Sequence, residues 1–228
     1  MGLLARSFRL HLEGKYTLEE VQDYLRRALQ HFDPAHFAWG MYTSVHSVVD
    51  NILMTEFPVL TSKLICPSGH LVARPHIISI KDCFVCLTRD HPESLQGHLD
   101  EHWSITASQC SSCLVQLVRQ YRFACSPPML AFDVSGDTVT GIEHDLNVSV
   151  NGKVCRYQLR GVVYHNTNHF TARIITSAGH VWFHDGVATG SSMVDEGPVL
   201  TFGDLTVCDA GITRARASVA MYCLVQDI

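Results

Sequence analysis

Basic residues are in deficit, charge of either sign is thin, and no apolar stretch is long. Lysine and arginine total 17 against 22 acidic residues, a formal charge of −5 at pH 7. That balance excludes the basic footprint by which a domain grips nucleic acid. No apolar run approaches the roughly 18 residues of a membrane-crossing helix, and Met1 is not followed by a secretion-signal pattern. Neither nucleic acid nor a membrane is an expected partner. Internal repeats and low-complexity tracts are also missing. Only 17% of the residues are charged while 46% are apolar, too hydrophobic a balance for a disordered chain. The 228 residues suffice for one large domain or two small ones with a real core.

Cysteine, by contrast, is plentiful. There are 9, an odd number, with 14 histidines beside them. Two pairs, Cys83/Cys86 and Cys110/Cys113, carry Cys-x-x-Cys spacing. In a chain of this size without a secretion signal, that spacing points to metal or thiol chemistry before a disulfide scaffold. The glycosylation sequon Asn147-Val148-Ser149 then carries little weight, because its chemistry needs a secreted chain. The expected location is inside the cell, in the cytoplasm or nucleus.

The first third reads as helical. Thr17-Leu18-Glu19-Glu20 is a capping box, followed by Val21, Tyr24, Leu25, Ala28 and Leu29 at helical spacing until Pro34. A second helix is expected from about Thr43 to Phe57, with Val45, Val48, Val49, Ile52, Leu53 and Phe57 on one face. Both stripes read as core. From Val59 the pattern turns to strand: Val59 to Ile65, His70 to Ile80 and Tyr121 to Val134, with a helical piece between Pro92 and Trp103. Five further runs follow, Leu146 to Val150, Val154 to Tyr164, Phe170 to Thr176, Val181 to Phe183 and Val219 to Val225. Asn151-Gly152 between the first two is a two-residue hairpin signal. The glycine- and proline-rich stretch Gly186 to Gly203 reads as a long surface loop. Helices first and an antiparallel sheet afterwards give an α+β class.

Cys66-Pro-Ser-Gly-His70 and Cys110-Ser-Ser-Cys113 are the two strongest ligand pairs. A short turn lets two side chains face one ion, and zinc needs two such turns to complete a tetrahedron. Gly69 suits the sharp turn of the first. The long insert between the pairs makes the site a tertiary one. The alternative is that these cysteines are small buried hydrophobes or free thiols. Cys83 and Cys86 sit among Ile77, Ile78, Ile80, Phe84, Val85 and Leu87, which read as strand. Residues three apart on a strand point to opposite faces, so this pair reads as core.

The stretch from Tyr157 to Asp185 carries the most chemistry. Two strands flank Ser177-Ala178-Gly179, which suits a three-residue hairpin loop ending in a left-handed glycine. That loop pairs Thr176 with His180 and sets Asp185 opposite Thr171. His169 and Asp185 are then diagonal neighbours on one face, about 7–8 Å apart at the backbone and within side-chain reach. A two-residue loop would put them on opposite faces. The spacing permits a His/Asp pair for general-base work, with His165 and His184 as rival bases.

These segments resemble the ubiquitin-specific protease family, in its fingers and palm regions. The resemblance rests on Tyr157-x-Leu159-x-Gly161-Val162-Val163-x-His165, on Asn168-His169-Phe170-Thr171-Ala172, on Trp182-Phe183-His184-Asp185 and on Ala220-Met221-Tyr222-Cys223-Leu224-Val225. Upstream, Pro127-Pro128-Met129-Leu130-Ala131-Phe132 resembles a Leu-Pro-x-x-Leu strand of that family, and the two ligand pairs resemble its zinc-binding fingers. It spans roughly Tyr42 to Gln226. It implies a papain-like cysteine peptidase fold, with a helical thumb-like part over 1–58, a fingers region over 59–125 and a β palm over 126–228. It also implies His169 as general base, Asp185 as its orienting partner, a structural zinc on Cys66, His70, Cys110 and Cys113, and ubiquitin or a ubiquitin-like protein as partner. Three positions depart from the family pattern. Asn168 stands where a glycine precedes the histidine, the gap from Trp182 to Asp185 is one residue short, and His70 replaces a cysteine.

The family's nucleophilic cysteine belongs at the head of a helix ahead of everything matched, where the helix terminus and a histidine lower its pKa. No cysteine precedes Cys66. Cys125, Cys155, Cys208 and Cys223 read as strand or loop positions. The expectation is a deubiquitinase-like domain without the nucleophile segment, inactive as this isolated chain. The alternatives are a non-catalytic receptor for ubiquitin-like folds and a zinc-stabilised scaffold.

Overall fold

The structure is a computed structural model describing residues 9–11, 13–38, 44, 47–48, 59–72, 78–80, 84–86, 94–101, 103–135, 141–167, 169–190, 192–210 and 214–225. Most of the second predicted helix, 43–57, lies outside these residues, as do Cys83 and the side chain of Cys86.

Helix α1 (Leu18–Phe32) starts where its sequence says it should. The Glu20 amide donates to Thr17 Oγ1 at 3.2 Å, and the Thr17 amide donates to the Glu20 carboxylate at 2.8 Å. A single turn, α2 (Pro34–Phe37), follows on its own Asp33 cap. The apolar stripe of α1, expected to be core, is only partly covered. Val21 is buried and Leu25, Ala28 and Leu29 half-buried, while Tyr24 is exposed.

Among the described residues the remaining elements with bounds are strands and a third helix, besides a 3₁₀ turn given below. In chain order they are β1 (Leu60–Ile65), β2 (Ile78–Ile80), β3 (Phe84–Cys86), α3 (Leu95–Glu101), β4 (Trp103–Gln109), β5 (Gln116–Phe123) and β6 (Met129–Asp133). Then come β7 (Asp145–Val150), β8 (Lys153–Asn166), β9 (His169–Ile175), β10 (His180–His184), β11 (Val194–Pro198), β12 (Val207–Cys208) and β13 (Ala215–Leu224). The thirteen strands join one sheet whose main path runs β11-β10-β9-β8-β7-β5-β1-β2. β13 pairs with β8 on its other side and carries β6 and β12.

Four expectations need correction. The sheet is mixed, because β3 runs parallel to β6 across a long connection and β5 meets β7 in parallel at Phe123 and Val150. The run Tyr121 to Val134 is two strands: Pro127 and Pro128 offer no amide to a ladder, so β5 ends at Phe123 and β6 begins at Met129. Of the run His70 to Ile80, only Ile78–Ile80 is strand among the described residues. The supposed loop Gly186 to Gly203 contains β11 and a 3₁₀ turn, Val199–Thr201.

Burial follows the two-residue period of a pleated strand. β7 turns Leu146, Val148 and Val150 inward and leaves Asp145, Asn147 and Ser149 out. β8 turns Tyr157 and Leu159 inward, then Val162 and Tyr164. The phase slips at a bulge, where its register to β13 jumps between Met221/Gly161 and Tyr222/Leu159. Phe132 and Tyr222 meet edge to face across this core, ring centroids 5.6 Å apart. The buried Tyr157 hydroxyl donates to the Pro127 carbonyl at 2.8 Å, and that of Tyr222 to the Glu143 carbonyl at 2.6 Å.

One buried ion pair ties the far edge on. The Arg173 guanidinium on β9 grips both Glu196 oxygens on β11, at 2.7 and 3.1 Å, and lies against the Tyr164 and Phe202 rings. Burial disfavours its charge, but Glu196 and Tyr164 more than offset this and leave its pKa above the ordinary arginine value. Removing one partner would strand the other's charge. Arg173→Ala is expected to cost about 3–5 kcal/mol in urea unfolding, and a paired Arg173→Met, Glu196→Leu change far less.

Candidate functional site

Two arrangements carry the chemistry, one at each end of the sheet. The first is built by two loops. β1 ends at Ile65 and delivers Cys66 into a turn closed by the Gly69 amide on the Cys66 carbonyl, at 2.9 Å. Gly69 takes φ +80°, a left-handed conformation that favours glycine. The second loop joins β4 to β5. The Cys110 amide bonds the Val115 carbonyl, and the Leu114 amide returns to the Cys110 carbonyl, both at 2.8 Å.

Together the loops gather Cys66, His70, Cys110 and Cys113, whose ligand atoms all lie within 4.8 Å of one another. Among the described residues this is the only such group of three or more. Cys66 Sγ stands 3.5 Å from Cys113 Sγ and 3.6 Å from His70 Nδ1. A zinc tetrahedron with sulfur bonds of about 2.3 Å and a nitrogen bond of about 2.05 Å sets sulfur–sulfur edges near 3.8 Å and sulfur–nitrogen edges near 3.6 Å. The four residues fit a metal ion. Burial pushes the Cys66 thiol up, but the His70 and Ser68 amides and the Cys113 and Cys110 thiols outweigh it and hold it at about 7.

The second arrangement is the β9–β10 hairpin. Its register is the one the loop predicts: Ile175 pairs with Val181, Ile174 with Trp182, Arg173 with Phe183 and Ala172 with His184. Gly179 takes φ +78° at the end of the loop, and the Thr176 amide bonds the His180 carbonyl at 2.9 Å. His169 and Asp185 therefore lie on one face. His169 Nε2 donates to Asp185 Oδ1 at 2.9 Å.

Asp185 is fully buried, whereas the His169 side chain is 32% exposed. The carboxylate is held by the turn that follows it. Oδ1 also accepts from the Val187 and Ala188 amides, at 2.9 and 3.1 Å. The Thr189 hydroxyl accepts from the Asp185 amide at 3.2 Å and donates to the Asp185 carbonyl at 2.8 Å. Burial would raise the Asp185 pKa, but the Ala188 and Val187 amides and His169 reverse the balance and hold it below the ordinary value. An ionised carboxylate only accepts, so a neutral His169 carries its proton on Nε2 and leaves Nδ1 as the basic atom. Sequence reasoning found the pair but missed the turn. The signal was Asp185-Gly186-x-x-Thr189, an Asx-type turn closed by a threonine.

The rival histidines are otherwise engaged. His165 stacks on Phe170 with centroids 4.4 Å apart, and His184 Nδ1 bonds the Ser192 carbonyl at 3.2 Å. Burial pushes the Cys208 and Cys223 thiols up, so neither is poised as a nucleophile at neutral pH.

The depressed Asp185 pKa fixes a sign. A carboxyl more acidic folded than unfolded adds stability above its unfolded pKa of about 3.9, and that stability is lost as pH falls through the lower folded value. Asp185→Asn is thus expected to flatten the acid side of the stability–pH curve below about pH 4, read by thermal unfolding. An unchanged acid limb would contradict the folded-state bonding.

No family model matches the sequence, and no curated protein matches it. Solved structures do. A SAGA Ubp8/Sgf11/Sus1/Sgf73 DUB module bound to ubiquitin aldehyde matches with a TM-score of 0.57 at 14% identity, over 93% of this chain and 56% of that one. The fold is that of a ubiquitin-specific protease. A Ubp8-variant module bound to monoubiquitin matches at 0.55 with 13% identity, covering 91% and 54% of the two chains. A module with a truncated Sgf11 matches at 0.51 with 15% identity, covering 90% and 50%. The chain spans about half the length of the ubiquitin-specific protease chains it matches. It is deubiquitinase-like in fold, with a mixed sheet and few helices, and among the described residues no helix is long and apolar enough to cross a membrane.

Proposed function

We propose that this chain is the fingers-and-palm part of a thiol isopeptidase acting on conjugates of ubiquitin or a ubiquitin-like protein. The observation that carries the reading is the 2.9 Å bond from His169 Nε2 to Asp185 Oδ1 within a ubiquitin-specific protease fold. His169 Nδ1 would take the proton of a cysteine thiol brought by a segment other than these 228 residues. The thiolate adds to the isopeptide carbonyl, the lysine amine leaves with the proton from His169, and water then cleaves the thioester. Asp185 holds the imidazole in the tautomer this requires and stabilises its cationic form.

Cys66, His70, Cys110 and Cys113 would hold one structural zinc. Four protein ligands close the site, so the ion would cross-link the two loops and leave no open position for chemistry. Two of the DUB modules that match are bound to ubiquitin or its aldehyde, which supports a ubiquitin-like partner here. A non-catalytic receptor is the second reading, favoured by the absence of any cysteine ahead of Cys66 in these residues. Supplying a cysteine-box segment and measuring fluorogenic ubiquitin cleavage separates the two: turnover supports the peptidase, and binding without turnover the receptor.

A further inference from the structure

The inward side of β9 is polar where a buried strand face is ordinarily apolar. His169, Thr171 and Arg173 alternate along it, and Thr171 and Arg173 are 5% and 6% exposed. His169 bonds Asp185 through Nε2, and Arg173 bonds Glu196, the Tyr164 hydroxyl and the Val207 carbonyl. The Thr171 hydroxyl is buried with no nitrogen or oxygen partner and faces the Cys208 thiol, a weak hydrogen-bonding group, although valine has the same shape and fits such a position.

Across the hairpin sits a second such atom. The register that pairs Ala172 with His184 sets Thr171 opposite Asp185 one residue further on. Asp185 Oδ1 accepts three N–H donors, while Oδ2 is buried and bare. A naked carboxylate oxygen in the interior is costly, and directly opposed side chains begin only about 5 Å apart at Cβ. That separation suits a shared water, which can bridge two buried polar atoms that do not meet directly.

We propose that Thr171 is a positioning residue for the His169–Asp185 pair, joined to Asp185 Oδ2 through one buried water. The water accepts from the threonine hydroxyl and donates to Oδ2. Oδ1 is thereby left to His169 and the turn amides, and the carboxylate cannot rotate to share its oxygens differently. The functional meaning rests on the isopeptidase reading; the hydrogen-bond chain does not.

The test is a carbon-13 NMR titration of aspartate carboxyls in the 228-residue chain, the Asp185 signal being the one lost in Asp185→Asn. Thr171→Val removes the hydroxyl while His169, Cys208 and the Arg173–Glu196 pair stay in place around it. It is expected to raise the Asp185 midpoint by about one pH unit, since the charged form loses a donor. Thr171→Ser is expected to restore it. A valine variant titrating like the parent would overturn the proposal, as would a serine variant shifted as far as valine. Should the valine variant not fold, a high-resolution crystal structure of the parent decides: a water bonded to both oxygens supports the proposal, and its absence overturns it. No activity enters these readouts, so a failed cleavage assay and a failed titration are distinguishable.

Discussion

Elemental analysis of the purified chain is expected to find one zinc per molecule, and Cys66→Ser to abolish it. The argument begins with how little else holds the two loops. The buried cluster beneath them consists of Cys66, Cys110 and Leu117, with Leu64, Val72 and Cys113 leaning on it. Two of its three buried members are ligands, so without the ion the loops have almost no core. Structural zinc contributes on the order of 10–16 kcal/mol of apparent binding free energy in small finger peptides, and such metal binding is folding free energy. Even a quarter of that would lower the melting temperature by roughly 10 °C in a domain of this size. The fall should appear equally with a chelator and with Cys66→Ser, while Cys155→Ser on β8 leaves it unchanged. A metal-free preparation in which Cys66→Ser melts like the parent would sink the assignment. Loss of metal on Cys83→Ser but not on Cys66→Ser would move the site.

What the sequence made legible was local chemistry acting through a short, stiff turn. Ser177-Ala178-Gly179 specifies its own hairpin, because a glycine at the left-handed position selects the three-residue loop. The pairing of the residues on either side then follows by counting. His169 and Asp185 were found that way. The ligand turns were legible for the same reason: Gly69 marks the bend that lets Cys66 and His70 face one point. Features set by distant partners were not legible. β11 (Val194–Pro198) has no alternating pattern to betray it, since an edge strand is fixed by its neighbour's ladder and here by the Arg173–Glu196 pair. The parallel pairing of β3 with β6 depends on which strand lies nearby after folding. The slip at Gly161 is an agreement between β8 and β13, and neither strand announces it alone. The α1 stripe has the period of a core face, yet its Tyr24 is 48% exposed, because period reports amphipathicity and leaves the covering partner unnamed.

The largest functional effect is expected at His169. The 228-residue chain by itself should show no hydrolysis of a fluorogenic ubiquitin substrate. Fused to a segment carrying a cysteine at a helix N-terminus, it should gain turnover that His169→Ala then removes. The magnitude follows from the chemistry. A thiol at its ordinary pKa of about 8.5 is only a few per cent thiolate at pH 7, and general-base assistance contributes about 10²–10⁴-fold. Loss of His169 should therefore reduce kcat/KM by at least 10²-fold, roughly 2.7 kcal/mol of barrier or more. Asp185→Asn should fall in the same direction for a separable reason. An amide can present its NH₂ to the imidazole as well as its oxygen, so the tautomer with the proton on Nε2 is no longer enforced. Its KM should change little, since a buried side chain that only orients His169 has no ground-state contact with the substrate to lose. If instead the bare chain cleaves ubiquitin and Cys125, Cys155, Cys208 or Cys223 is essential, the nucleophile lies inside these residues. The hairpin would then be read with the wrong partner. If the fused protein binds ubiquitin but turns nothing over, while His169 and Asp185 stay bonded, the pair is an inherited architectural feature and the receptor reading stands in its place.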